Sequence, residues 1–106
     1  MEEYRIVFAP TAQEDIGSAL AWLEKNTPVN LGEWLGALKS DIQALSVLPE
    51  SCPYAPENGL WGDEELRQLL FKRYTSQYRV IFTVEEQTVR ILNIRHSSKR
   101  YLYEDS

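Results

Sequence analysis

The stretch Tyr78–Arg100 decides the fold, and it reads Y-R-V-I-F-T-V, then E-E-Q, then T-V-R-I-L-N-I-R-H, then S-S-K-R. Successive side chains of a strand point to opposite faces, so the alternation of the first run predicts a half-buried strand. One face would carry Tyr78, Val80, Phe82 and Val84, and the other Arg79, Ile81 and Thr83. The second run is rich in β-branched and apolar residues, which predicts another strand. The polar link between them is short, so we expect antiparallel neighbours.

The second of these strands ends in a cationic cluster. Arg95 and His96 close the run, and Lys99 and Arg100 follow just beyond it. Strict alternation would place His96 with Ile94 and Arg95 with Ile91, and both faces are partly apolar. Which of Arg95 and His96 faces the rest of the core therefore stays open, and a β-bulge would change the answer.

Upstream, residues 3–8 alternate as a short strand and Pro10 stops it. The segment T-A-Q-E from Thr11 to Glu14 matches a capping box, which predicts a helix N-terminus. Apolar residues at helical spacing then predict a first helix; they are Ile16, Ala19, Leu20 and Leu23.

A second helix follows almost at once, with Thr27 as the expected N-cap and Pro28 at its first position. Its apolar stripe has steps of four and three residues and consists of Leu31, Leu35, Leu38, Ile42 and Leu45. Pro49 ends the stripe. The short connection predicts an antiparallel helical hairpin.

Residues 49–63 are rich in proline and glycine and are expected to form a loop, after which residues 65–71 predict another strand. The order is then strand, helix, helix and three strands in an antiparallel meander. We expect an α+β fold in one domain over residues 1–106. A right-handed crossover would place both helices on one face of the sheet and leave the opposite face, or its end, for a partner.

Charge separates the chain into two halves, although its net charge is −5 over 106 residues. Residues 1–62 hold three basic and nine acidic residues, whereas residues 66–103 hold eight basic and two acidic ones. Local potential governs the attraction of a charged partner, so the basic half is the expected contact region.

The rest of the composition excludes several classes of protein. A single cysteine, Cys52, rules out an internal disulfide and suits a reducing compartment. No signal peptide or membrane-length apolar run occurs, so we expect a soluble cytoplasmic protein. One histidine and one cysteine far apart in sequence predict neither a metal site nor a cofactor.

Nearly the whole chain resembles the RelE/ParE superfamily, the toxins of type II toxin–antitoxin modules of the plasmid-stabilisation type. The resemblance rests on the order and spacing of Y-R-I-V-F-A-P-T-A-Q-E-D-I, W-L-G-A-L-K-S-D-I-Q-A-L-S-V-L-P, E-L-R-Q-L-L, Y-R-V-I-F-T-V and V-R-I-L-N-I-R-H-S-S-K-R. It implies growth inhibition and a cognate antitoxin as partner. RelE-like members cleave messenger RNA in the ribosomal A site, ParE-like members poison DNA gyrase, and others act only as binding partners.

The resemblance also implies site residues. Arg67, Arg79, His96 and Tyr103 fall where RelE-like toxins carry functional residues, with Tyr101 as a rival to Tyr103. Contacts to nucleic acid would come from Lys72, Arg73, Arg95, Lys99 and Arg100. A second basic residue of those toxins, two positions after the first, is replaced by Leu69.

Metal-independent cleavage of RNA needs a base, an acid and cations that hold the charge developing on phosphorus. Arg67 and Arg79, on neighbouring strands, are expected to clamp a phosphate through their guanidinium forks. His96 would serve as base or acid, and Tyr103 or Tyr101 would stack on a nucleobase or assist proton transfer. The sequence favours an endoribonuclease acting on ribosome-bound messenger RNA; a non-catalytic inhibitor of gyrase and a mere binding partner are the alternatives.

Overall fold

Four strands and two helices make up the part of the chain that the computed structural model describes, which is residues 3–26, 29–60, 62–74 and 76–97. In chain order they are β1 Arg5–Phe8, α1 Pro10–Asn26, α2 Leu31–Gln43, β2 Arg67–Arg73, β3 Ser76–Glu85 and β4 Thr88–His96. Two short 3-10 turns, Ala44–Ser46 and Pro49–Ser51, follow α2. This is the predicted α+β arrangement.

The strands form one sheet in the order β1-β4-β3-β2. β2, β3 and β4 are an antiparallel meander, as predicted, and β1 lies parallel to β4 at the far side. The turn between β3 and β4 has two residues, Glu86 and Gln87, and the residue that directly follows β2 or β3 has a positive φ, +57° at Tyr74 and +56° at Glu86. Gly, Asn and Asp adopt that conformation most readily, so with Tyr74 and Glu86 there the sequence carries no Asn-Gly or Asp-Gly hairpin signature.

One face of the sheet, which we call the helix face, packs against both helices. The residues predicted to alternate on β3 lie in this core together with Leu23, Leu38 and Ile42 of the helices. The centre is Trp34, which is fully buried and stands edge-on to Phe71 and Tyr78 with ring centroids 5.5 and 5.4 Å away. The stripe predicted for α2 missed Trp34, although it lies four residues before Leu38 on the same helical face.

Both predicted helix starts were wrong. α1 begins at Pro10, so Thr11 lies in its first turn and its hydroxyl donates to the Leu92 carbonyl over 2.7 Å. α2 begins at Leu31, where the side chain of Asn30 accepts from the Glu33 amide as N-cap. The predicted cap and first residue of α2, Thr27 and Pro28, lie outside the described residues.

A bulge in β4 settles which terminal residue faces the helices. Ile81 pairs with Asn93 and Phe82 pairs with Ile91, so Leu92 is an extra residue. Beyond the bulge His96 pairs with Tyr78 on the helix face, and Arg95 pairs with Arg79 on the opposite face.

α1 supports the backbone at this bulge. The Asp15 carboxylate accepts from the Ile94 amide at 2.8 Å and from the Asn93 side chain at 3.3 Å. Together with Thr11, it supplies partners for backbone groups around the disrupted ladder.

The opposite face of the sheet is partly covered by the chain itself. Residues 52–58, which we call the strap, run along the edge of β2 and over this face. Ala55 joins Leu66, Ile81 and Leu92 in a small apolar cluster separate from the main core. The expectation that this face is left for a partner was therefore too simple, because the chain's own loop occupies part of it.

Candidate functional site

The two arginines predicted to clamp one phosphate lie on opposite faces of the sheet. Arg67 has the strand parity of Leu69 and Phe71, which pack with the helices. Arg79 has the parity of Ile81, which lies in the small opposite cluster. The sheet therefore separates the two guanidinium groups, and the described structure does not bring them together.

Arg79 is engaged by the chain itself. Its Nη1 and Nη2 atoms donate to the two Glu57 carboxylate oxygens over 3.1 and 2.9 Å, and Nη1 also donates to the Gln68 Oε1 atom over 3.1 Å. Glu57 is completely buried and Arg79 is 7% exposed. Forked pairs of this kind are the strongest ionic hydrogen bonds of proteins, and a fully buried carboxylate requires such a partner.

Arg67 fastens the same loop from the other face. Its Nη1 donates to the Cys52 carbonyl over 2.7 Å, and its guanidinium carbon lies 4.3 Å from the centre of the Tyr54 ring. A weaker contact of 3.8 Å joins it to exposed Glu65. The two arginines thus hold the two ends of the strap.

Cys52 lies at the start of the strap and is half-buried. Burial raises the pKa of its thiol, and the positive charge of Arg67 partly opposes that rise. The group is accordingly a neutral thiol at neutral pH, not an activated nucleophile.

His96 lies in an aromatic group on the helix face. Its ring stands edge-on to Tyr78 at 5.1 Å between centroids and lies 6.3 Å from half-exposed Trp22 of α1. Burial raises the pKa of the Tyr78 hydroxyl, so that phenol stays protonated at neutral pH. His96 pairs with Tyr78 on the helix face, whereas Arg79 lies on the opposite face, so the sheet separates these two side chains.

The predicted nucleic-acid contacts on β2 form a third group. Arg73 lies 3.6 Å from Glu33 at the start of α2, and Glu33 also accepts from the Tyr74 hydroxyl. That hydrogen bond raises the pKa of the Tyr74 phenol. Lys72 is exposed on the opposite face, one residue earlier.

Carboxylates neutralise much of the basic half that the sequence singled out. Four of its arginines lie within 4 Å of one; they are Arg67, Arg73, Arg79 and Arg90, paired with Glu65, Glu33, Glu57 and Glu85. The surface available to a polyanion is consequently less positive than the count of basic residues indicated.

Four residues of the sequence-based site lie outside the described residues: Lys99, Arg100, Tyr101 and Tyr103. Within residues 3–26, 29–60, 62–74 and 76–97, no cluster of three or more potential metal ligands is found. Over those same residues, no helix is sufficiently long and apolar to cross a membrane.

Sequence reasoning missed the residues that bind the arginines. Glu57 lies in a proline-rich loop without periodicity, so its burial has no signature in the sequence. Gln68 could have been found, because it lies on β2 with the parity opposite to Arg67. Trp22, beside His96, falls outside the apolar stripe predicted for α1.

The outer edge of β2 is only partly paired. The Ala55 amide donates to the Leu66 carbonyl over 2.7 Å, and the Gln68 amide donates to the Pro53 carbonyl over 3.0 Å. Backbone groups of alternate residues point the same way, so those of Leu70 and Lys72 also face outwards. No backbone hydrogen bond from the described residues reaches that outer side of Leu70 and Lys72.

Comparison with known proteins places this architecture in a family. The model of the ParE toxin of the type II toxin–antitoxin system parDE matches residues 6–101. A solved chromosomal ParDE toxin–antitoxin system from P. aeruginosa has the same fold, with a TM-score of 0.67 at 14% identity. The match covers 89% of this chain and 96% of that one. Among curated proteins none matches this sequence. The chain belongs to the ParE toxin family of type II toxin–antitoxin systems.

Proposed function

We propose that this toxin inhibits DNA gyrase by binding to it and carries out no RNA cleavage. The observation that carries the proposal is the buried Arg79–Glu57 pair, at 2.9 and 3.1 Å. A guanidinium that stabilises a phosphorane must be available to the phosphate, and as long as the strap lies on the sheet a fully buried carboxylate of the same chain occupies it. Membership of the ParE family supports the same conclusion.

The arrangement of the other candidates supports binding too. Cleavage by a 2′-hydroxyl needs a base and a charge-stabilising group on the same phosphate, within hydrogen-bond reach. His96 faces the helices with Tyr78, whereas Arg79 faces away from them. The alternative activity, ribosome-dependent cleavage of messenger RNA, would require these groups to act from two faces of one sheet.

A cognate antitoxin is the second proposed partner, and the open edge of β2 is where we place it. The outward backbone groups of Leu70 and Lys72 can accept an added strand. Leu70 is half-exposed, and Lys72 provides positive charge beside it on the same face. A fitting antitoxin segment is extended, with an apolar residue facing Leu70 and an acidic residue near Lys72.

The test compares both targets with the same purified toxin. Gyrase supercoiling of plasmid DNA and cleavage of messenger RNA on translating ribosomes are measured over one range of toxin concentration. We expect loss of supercoiling, or accumulation of cleaved DNA, with intact messenger RNA. Cleaved messenger RNA with unimpaired gyrase would establish the endoribonuclease instead, and no effect on either would identify a chain that acts only as a binding partner.

Antitoxin binding has a separate test. A small protein encoded beside this chain, the expected antitoxin, is mixed with it, and binding is compared for Leu70→Pro and for Leu70→Ala, which truncates the same half-exposed side chain but keeps the amide. Proline removes the Leu70 amide and blocks strand addition. If both variants bound the antitoxin with equal affinity, the antitoxin would not bind by adding a strand at Leu70.

A further inference from the structure

The strap, residues 52–58, is attached to the sheet by polar contacts and very little apolar surface. Of its residues Ala55 belongs to the small apolar cluster, and half-buried Cys52 packs at the margin of the main core. Its backbone attachment consists of the two hydrogen bonds with Leu66 and Gln68 at the edge of β2. In addition, the Leu66 amide donates to the Asn58 side chain over 2.8 Å.

Two arginines complete this attachment, and they differ in burial. Arg67 holds Cys52 and Tyr54 at the rim, where its side chain is 14% exposed. Arg79 holds Glu57 in the interior, where the carboxylate is fully buried. When a buried ion pair opens, both charged groups regain their hydration. The stability of the closed pair therefore depends on good hydrogen-bond geometry and not on apolar burial.

We infer that the strap is a latch, closed by the Glu57–Arg79 pair, that opens as a unit while the rest of the domain stays folded. Elements with few apolar contacts are those that open below the global unfolding free energy. The main core, centred on Trp34, lies on the other side of the sheet and makes no use of Glu57. Among the strap residues only Cys52 packs against that core, so residues 53–58 can leave while the core stays covered.

Opening changes the surface that the molecule presents. It uncovers the Leu66 carbonyl and the Gln68 amide, which extends the open edge of β2 back from Leu70. It also presents the Arg79 guanidinium on the same face. The opened surface fits an extended peptide that carries a carboxylate, because such a peptide repeats the contacts of the strap. Binding of such a peptide rests on the proposed strand addition of the antitoxin, whereas the opening of the strap does not depend on that proposal.

Amide hydrogen exchange of the full chain tests the latch. The reporters are the amides of Ala55, Leu66 and Gln68, and the core references are those of Leu38 and Ile42 within α2. In the wild type we expect the reporters to exchange faster than the references and to show a weaker dependence on urea, because local opening exposes little surface. Identical rates and urea slopes in the two groups would overturn the inference.

A matched pair of variants tests the role of the carboxylate. Glu57→Gln keeps the shape of the side chain and removes its charge, and Glu65→Gln does the same to the exposed contact of Arg67. Glu57→Gln should accelerate exchange of the reporters about tenfold or more and leave the references unchanged; Glu65→Gln should change neither. A folded Glu57→Gln variant with unaltered reporters contradicts the latch, as does equal acceleration of both groups. Should Glu57→Gln not fold, the wild-type urea slopes still decide.

Discussion

The two faces of the sheet are built on different principles. The helix face buries a continuous apolar core in which Trp34, Phe71 and Tyr78 meet edge to face. The opposite face has a small apolar cluster and a buried ion pair, Arg79 with Glu57. Apolar burial is non-directional and stabilises the whole domain, whereas an ion pair holds one loop in one geometry. The first face therefore sets global stability and the second sets the position of the strap.

This difference changes the meaning of the arginines. A sequence shows a guanidinium on a strand but not what neutralises it. Arg67 and Arg79 have the residue type and strand positions of a phosphate clamp, yet both contact the strap. Their fork geometry is used within the chain, and this is why we favour a toxin that acts by binding.

The largest effect should come from the helix face, where Phe82 is a fully buried ring of the main core. Phe82→Ala should lower the free energy of unfolding by about 3–5 kcal/mol. The matched control is Leu70→Ala on the opposite face, where the residue is 50% exposed. A change of at most about 0.5 kcal/mol is expected there, because little packing is lost at a surface position. Urea unfolding followed by tryptophan fluorescence measures both, and similar losses in the two variants would remove the distinction between the faces.

The next effect concerns the ion pair. Glu57→Leu leaves Arg79 buried without its carboxylate and should lower the free energy of unfolding by about 2–3 kcal/mol. This loss is smaller than for a charge that is fixed in the interior, because the strap can open and let water reach the Arg79 guanidinium. Adding Arg79→Met to Glu57→Leu replaces the ion pair by two apolar side chains. The double variant should recover most of the free energy of unfolding that Glu57→Leu loses. The single variant Arg79→Met completes the cycle, and the same urea titration of all three variants gives the coupling energy. Simple additivity of the two changes would mean that the two side chains do not depend on each other.

A smaller effect is expected at the bulge that orients the end of β4, where the Asp15 carboxylate accepts from the Ile94 amide. Asp15→Ala deletes this acceptor and should lower the free energy of unfolding by about 1 kcal/mol. Glu14→Ala, an exposed neighbour on α1, controls for the higher helix propensity of alanine. Thermal unfolding of the two variants provides the comparison. If Asp15→Ala were as stable as Glu14→Ala, the bulge would not need this support.

The smallest expected effect is a gain in stability, at Glu86. Glu86 has a positive φ in the turn between β3 and β4. Glycine has no steric penalty in that conformation, so Glu86→Gly should raise the unfolding free energy by about 1 kcal/mol or less. Gln87→Gly, at the next position without a positive φ, should lower it, because glycine there adds only unfolded-state entropy. Urea unfolding again provides the measurement, and a loss of stability in Glu86→Gly would show that the turn is not strained.

The main features of the fold could be predicted from the sequence because they depend on periodicity. Alternation in β3 and the helical stripes identified much of the core, although not Trp34 at its centre, and the order of the elements predicted the meander. The start of α1 could not be predicted, because Thr11 bonds to Leu92, far along the chain. The start of α2 had a local signal that was missed, Asn30 three residues before Glu33. The facing of His96 depends on the bulge at Leu92, for which no local signal exists.

The site was less predictable than the fold for the same physical reason. Glu57 becomes fully buried only when the strap folds back across β2 and β3, a contact between residues 22 positions apart. Nothing in its neighbours marks it as a counter-ion. Basic residues on strands therefore identify a region of charge, and only their partners show whether that charge faces a ligand or the chain.

The double variant Glu57→Leu with Arg79→Met tests the central claim most directly, because it removes the guanidinium and keeps the strap packed. Its inhibition of DNA gyrase supercoiling is measured beside that of the wild type, after cooperative unfolding has shown that it is folded. We predict inhibition at the same toxin concentration, since Arg79 belongs to the fold and not to the inhibitory contact. A folded double variant that no longer inhibits would contradict the account and return Arg79 to the functional site.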